Sequence, residues 1–254
     1  MTASASERHD RNWIATFEAM ADGLPSGFRL ATPTVLVAAS GTPISNKVIV
    51  IDPSPDPADL AAAVELVRAR GVPYEVFVRS TYERALEVVA DAGFVRGGEM
   101  PCMTCELPLV GPRQVPDGFE IRLVDHASMA DFQAVAADAF GMPVQMARAV
   151  FRPELLDFDD MRAFVGYADG RPVACAASYQ TDDIVGIYTV ATVSAARGRG
   201  YGTAITAAAM ADTPAPATLA VLQASDMGRP VYERMGFRAV HHQAVFREPD
   251  ATHA

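Results

Sequence analysis

Arg197-Gly198-Arg199-Gly200-Tyr201-Gly202 has the residue types and spacing needed to hold an anion. It follows an apolar, β-branched run, Val190-Ala191-Thr192-Val193, which reads as a strand. It precedes Thr203-Ala204-Ile205-Thr206-Ala207-Ala208-Ala209-Met210-Ala211-Asp212, rich in the strongest helix former. Strand, glycine turn and helix N-terminus together suit a phosphate. Glycine lets the backbone come close, and the first N–H groups of the helix and its dipole face the negative charge. Arg197 and Arg199 add positive charge. A tight strand-to-helix connection with no ligand uses the same residues, so the turn alone leaves both readings open.

The elements downstream extend the pattern. Pro214 and Pro216 end the helix, and Thr218–Ser225 reads as another strand. Gly228-Arg229-Pro230-Val231-Tyr232-Glu233-Arg234-Met235 reads as a short helix closed by Gly236, with Phe237 beyond it. Arg-x-x-Gly-x-Gly at Arg197, Gly200 and Gly202, followed by Tyr232-x-x-x-Gly236-Phe237, resembles the acetyl-CoA motifs of the GCN5-related N-acetyltransferase (GNAT) superfamily. The likeness spans roughly Phe119 to Arg247. One departure is Ser194, where the family often has proline.

The resemblance implies a site and a reaction. Backbone N–H groups of Arg197, Gly198, Arg199, Gly200, Tyr201 and Gly202 would cradle the diphosphate of acetyl-CoA. The edge of Val190, Ala191 and Thr192 would pair with the pantetheine amides, and one N–H there would face the oxyanion of the acyl-transfer intermediate. Tyr232 would give a proton to the leaving thiolate. Ser225 would touch the cofactor, or else cap the helix that follows. The acetyl group would pass directly to an amine of an unidentified acceptor. Phe140, Met142 and Met146 are candidates for the acceptor pocket or for ordinary core packing. No general base is evident: Ile187-Tyr188-Thr189 carries no carboxylate, Asp182 and Asp183 sit in a turn, and His241 and His242 sit in a terminal strand. That gap motivates a second reading, a non-catalytic acyl-CoA-binding sensor.

Composition narrows the setting. The 254 residues suffice for one large or two small domains, and half are hydrophobic. A net charge of −10 argues against nucleic acid or an anionic membrane as partner. Lys47 is the sole lysine. Without a long apolar run or a signal pattern, the expected location is cytoplasmic. Three cysteines do not make a disulfide framework. Cys102-x-x-Cys105 has the spacing of a redox pair or half a zinc site, but it lacks a second ligand pair, and no metal site is expected. The subunit number and the acceptor are left open by these residues.

The N-terminal half reads in the same order as the C-terminal half. The strand Lys47–Asp52, a Pro-rich turn, the helix Ala58–Arg70, the strand Tyr74–Arg79 and a helix ending at Gly93-Phe94 parallel Val190–Phe237. The turn Pro53-Ser54-Pro55-Asp56-Pro57 has no glycine, and it puts Asp56 where a phosphate would sit, so this copy should not bind CoA. The expected fold class is α/β (α+β), with two GNAT-like domains, each a mixed, mostly antiparallel sheet flanked by helices. The expected boundaries are a flexible tail at 1–10, a degenerate GNAT-like domain at 11–107, a linker at 108–118, a catalytic GNAT domain at 119–247 and a tail at 248–254. Ser128-x-x-Asp131 is expected to cap the first helix of the second domain.

Overall fold

The computed structural model describes residues 3–42, 44–108 and 115–249. Most of the expected linker, 109–114, and the end of the C-terminal tail, 250–254, lie outside the described residues. In chain order the elements begin with α1 (Ala5–Gly23), β1 (Phe28–Ala31), β2 (Val35–Ala39), β3 (Asn46–Val50), α2 (Pro57–Ala69), β4 (Glu75–Arg79), α3 (Glu83–Asp91) and β5 (Val95–Glu106). There follow β6 (Phe119–Leu123), α4 (Met129–Phe140), α5 (Val144–Val150), β7 (Met161–Ala168), β8 (Arg171–Thr181) and β9 (Ile184–Thr192). The last elements are α6 (Tyr201–Ala211), β10 (Leu219–Gln223), α7 (Arg229–Arg234) and β11 (Arg238–Arg247).

The chain divides into two compact units, and neither is a single stretch of sequence. One holds Ile14–Cys102 and Ala239–Ala254; the other holds Met1–Trp13 and Met103–Arg238. The expected consecutive boundaries therefore differ from the observed division at both ends. The last strand, expected in the C-terminal domain, counts with the N-terminal unit. There β11 pairs antiparallel with β4, from Gln243 opposite Arg79 to Phe246 opposite Val76. Ala244 and Phe246 thereby join the core of Val37, Val48, Leu60, Val76, Val88 and Phe94. Alternation explains the choice, because Ala244 and Phe246, two residues apart, share one face of β11 and need burial.

The chain start also departs from expectation. Residues 1–10 read as loose, yet α1 begins at Ala5. Ser4 and Glu7 close a capping box: the Glu7 N–H donates to Ser4 Oγ at 3.2 Å, and the Ser4 N–H donates to Glu7 Oε2 at 2.7 Å. His9 and Asn12 are fully buried. The small polar composition hid a helix start that Ser4-x-x-Glu7 encodes.

Each unit is a mixed, mostly antiparallel sheet with helices on it, as expected. In the N-terminal unit β1–β2, β2–β3 and β4–β11 are antiparallel and β3–β4 is parallel. In the C-terminal unit β6–β7, β7–β8 and β8–β9 are antiparallel and β9–β10 is parallel. There α6 covers one sheet face, where Ile205, Ala209 and Met210 meet Ala174, Ala176, Val185 and Ile187. On the other face α4 brings Phe132, Val135 and Ala136 onto Val165, Cys175 and Ala191. The helix α4 does not start with the expected box. Ser128 turns back instead, its Oγ accepting the Asp125 N–H at 2.9 Å while its own N–H donates to Asp125 Oδ1 at 2.8 Å.

One aromatic stack anchors the start of α6. Phe119 and Tyr201 lie 4.4 Å apart at 21° between ring planes. Gly166 makes room for them, because a Cβ there would lie 2.1 Å from the Phe119 ring. Gly166→Val is expected to cost about 1–3 kcal/mol through this clash. A thermal melt should show the midpoint falling by several degrees, with α6 losing its anchor.

Candidate active site

The site is built on how β9 leaves its parallel partner. Pairing with β10 covers only Ile184, Val185 and Gly186, opposite Leu219, Ala220 and Val221. The strand β9 runs on to Thr192, so its C-terminal part has no β10 neighbour, while β8 still holds it through Ala174 opposite Thr192 and Cys175 opposite Ala191. The corresponding pair in the N-terminal unit stays closed: Lys47, Val48, Ile49 and Val50 all face residues of β4. Open parallel strands leave main-chain donors and acceptors that a ligand can satisfy, and ligands of α/β sheets sit at the C-terminal strand ends.

A bulge sets the edge of the opening. Tyr188 is opposite Ala177 and Ala191 opposite Cys175, so Thr189 and Val190 together face Ala176. Thr189 takes φ +51°, which is rare for a β-branched residue. The Cys175 thiol donates to its carbonyl at 3.6 Å. The Val193 N–H goes to Val173 O at 2.9 Å. Alternation then turns the N–H and C=O of Val190 and the N–H of Thr192 to the open edge, and those of Ala191 to β8, while the Thr192 carbonyl accepts from Arg197 Nε. Of the three expected edge residues, two present main-chain groups to the opening, and the third lends its side chain to the α4 core.

The glycine turn follows. Gly198 and Gly200 adopt φ +78° and +84°, where a side chain is strained. Gly200 is the N-cap of α6 and has no side-chain cap; the first backbone bond closing the helix is from the Ala204 N–H to Gly200 O at 3.0 Å. The N–H groups of Tyr201, Gly202 and Thr203 therefore have no intrahelical acceptor. A Cβ on Gly202 would touch Thr192 Oγ1 at 3.4 Å, so this first turn adjoins the end of β9. Arg197 spends its guanidinium inward, with Nε donating to Thr192 O at 3.2 Å and the far nitrogen to Ala139 O at 3.1 Å. The Arg197 side chain braces the loop through these two bonds, and both Arg197 and Arg199 are exposed. The Ser194 N–H donates to Asp138 Oδ1 at 2.9 Å, which ties the same loop to the end of α4. Phe140 next door is exposed, and Met142 and Met146 are half-buried.

The equivalent turn of the N-terminal unit is closed to anions. The Asp56 carboxylate accepts the Ala58 N–H at 2.9 Å and caps α2 from within. The Asp56 N–H itself goes to Thr34 Oγ1 at 3.1 Å. Asp56 thus stands at the N-cap of α2. Asp56→Ala should lower stability by about 1 kcal/mol, the usual cost of losing such a cap. Denaturant melts would show this, and titration with CoA should give an unchanged affinity.

Tyr232 lies on α7 within the α6-side core, edge-to-face with Phe237 at 5.8 Å. Its ring covers Gly228, where a Cβ would sit 2.9 Å from Cε2. Among the described residues its hydroxyl has no hydrogen-bond partner. Burial pushes its pKa up to about 12, so it holds its proton through neutral pH. The Ser225 Oγ accepts the Gly228 N–H at 3.1 Å, and a Cβ on Gly228 would lie 3.3 Å from it; the hydroxyl thus organises the turn into α7 beside Tyr232.

The other polar candidates lie elsewhere. Asp183 is bonded to Thr218 Oγ1 and paired with Arg8 at 2.9 Å, and Asp182 is paired with Arg11 at 3.3 Å; both sit at the start of β9, away from the opening. The Thr218 hydrogen bond, then Arg8, holds the Asp183 carboxyl below its usual range. His241 and His242 are on β11 and belong to the N-terminal unit. All three cysteines are buried and outside any disulfide. The Cys105 thiol faces Met235 O at 3.8 Å and Cys102 faces Met100 O at 3.9 Å. Burial, then the Glu106 charge, raises Cys105. Sequence reasoning missed the bulge at Thr189 and the polar residues that α1 brings to the C-terminal unit. A bulge has no residue signature here, whereas the capping box at Ser4 did announce the helix.

Residues 131–237 match the model of the Acetyltransferase (GNAT) family. Among solved structures, a GCN5-related N-acetyltransferase from Kribbella flavida has the same fold over 95% of both chains, at 21% identity and a TM-score of 0.73. A tandem GNAT protein from the clavulanic acid biosynthesis pathway is similar over 97% of this chain and 96% of its own, at 14% identity and a TM-score of 0.63. A GCN5-related N-acetyltransferase from Sphaerobacter thermophilus is similar over 85% of this chain and 76% of its own, at 16% identity and 0.58. These coverages take in the N-terminal half, which also resembles the GNAT fold. No curated protein matches the chain in sequence. No helix among the described residues is long and apolar enough to cross a membrane. Family and fold support a function of the acetyltransferase type.

Proposed function

We propose that the chain is an acetyl-CoA-dependent N-acetyltransferase that moves the acetyl group directly to an amine. The observation that carries this is the opening of β9 from β10 beyond Gly186, beside an uncapped helix N-terminus. Diphosphate would take the N–H groups of Gly198–Gly202, and pantetheine amides would pair with Val190 and Thr192 at the open edge. As the amine nitrogen adds to the thioester carbonyl, an N–H at this edge meets the oxyanion. The carbon–sulfur bond then breaks, and the thiolate takes the proton of Tyr232. The amine's own proton passes to solvent. The unit built on Ile14–Cys102 is, in this reading, a degenerate GNAT-like domain without a CoA site of its own, and the unit built on Met103–Arg238 supplies the chemistry.

The test is calorimetric titration with CoA, followed by thiol release from acetyl-CoA in the presence of primary amines. Micromolar binding at one site and amine-dependent thiol release support the enzyme. Binding without release for any amine would leave the sensor reading, and no binding would defeat both.

A further inference from the structure

The segment between β9 and the glycine turn is held by α4 at both ends. It is one short helical turn, Ser194–Ala196, closed by the Ala196 N–H on Val193 O at 2.9 Å. At its start the Ser194 N–H donates to Asp138 Oδ1 at 2.9 Å. Just past its end the Arg197 guanidinium donates to Ala139 O at 3.1 Å. Asp138 and Ala139 are neighbours in the last turn of α4. Bonds from adjacent residues, one to each end of a short turn, fix its rotation as well as its place.

Local preference explains neither Asp138 nor Ser194. Asp138 lies at the C-terminal end of α4, where the helix dipole disfavours negative charge. Position 194 is the first of its helical turn, and Val193 before it is extended, with φ −54° and ψ +141°. Proline suits such a position, because it presets φ and gives up an N–H that the turn cannot use. Serine keeps that N–H, and Asp138 accepts it. The hydrogen bond thus does what a proline ring would do through φ: it selects one path for the chain.

That path joins the two parts of the site. Upstream is the open edge of β9, at Val190 and Thr192. Downstream are the N–H groups of Gly198–Gly202. A ligand that spans both needs them at a fixed separation, and this turn sets it.

We propose that Asp138 is a positioning residue for acetyl-CoA, holding the strand edge and the glycine turn at the separation that one cofactor molecule spans. The proposal rests on the acetyltransferase reading above. Asp138 acts through the Ser194 N–H and takes no part in the chemistry.

The test is calorimetric titration of the full chain with CoA. Asp138→Ala releases the turn, and apparent affinity falls with the share of molecules that keep the binding conformation; about tenfold weaker binding is expected. Asp138→Asn keeps an oxygen acceptor and should stay within about threefold of wild type. Adding Ser194→Pro to Asp138→Ala should recover most of the loss. The ring sets φ without the carboxylate, and the alanine leaves room for it. A loss caused by general destabilisation of α4 would not be repaired by a proline at position 194. Unchanged affinity in Asp138→Ala would overturn the proposal, and so would a loss that Ser194→Pro leaves in place. A wild-type protein that binds no CoA would instead defeat the acetyltransferase reading.

Discussion

Gly200→Val is expected to weaken CoA binding about 100-fold, or about 2.7 kcal/mol. Gly200 holds φ +84° as the N-cap of α6. An L-residue there costs about 1–2 kcal/mol and a β-branched one more, so the turn would relax towards another conformation. That change rotates the N–H groups of Gly198–Gly202 away from their common focus. A valine side chain would also stand in front of the first turn of α6, where the anion is proposed to lie. The nearest atom to a Cβ at this position is Pro116 Cγ at 3.5 Å, so the fold itself tolerates the added volume and the loss falls on the ligand. Titration calorimetry with CoA reads the effect directly. A melting point lowered by a few degrees with unchanged CoA affinity would show that this turn does not hold the diphosphate.

Tyr232→Phe is expected to lower kcat about 100-fold, at the low end for loss of a general acid, with CoA affinity within about twofold of wild type. The ring's packing against Gly228 and Phe237 survives the change, because only the hydroxyl is removed. Burial raises the phenol to about 12, above its ordinary value of 10.0. The neutral, donating form therefore persists through the whole range in which such enzymes are assayed. In the pH–rate profile of the wild type, no loss attributable to Tyr232 should occur below pH 10. The sign for stability is the same. The folded state favours the neutral phenol more than the unfolded chain does, so this contribution is intact below pH 10 and is lost as pH rises towards about 12. A Tyr232→Phe protein with full kcat would remove Tyr232 from the chemistry and leave it as a packing residue.

The elements themselves were largely legible. The runs Lys47–Asp52 and Thr218–Ser225 became the strands β3 (Asn46–Val50) and β10 (Leu219–Gln223), each ending short of the expected bound. The glycine turn and the Pro-rich counterpart with Asp56 were also readable, because backbone φ and missing N–H groups are properties of single residues. Two local readings failed. Residues 1–10 are helical from Ala5, where a capping box outweighed polar composition. Ser128 pairs with Asp125 rather than with Asp131, since an Asx-type turn competed for its hydroxyl.

Local composition and spacing, then, determined the strands, the helices, the strained glycines and the likeness of the two halves, because each depends on residues a few positions apart. Tertiary structure alone decided which strand joins which sheet. It gave β11 to the N-terminal unit and Met1–Trp13 to the C-terminal one, since pairing is settled by which buried face lacks a partner, and that information is spread along the whole chain. It also decided that β9 parts from β10 while β3 stays with β4, a difference in register that no single residue carries. For the same reason Asn12 and Tyr188, far apart in sequence, meet through a hydrogen bond.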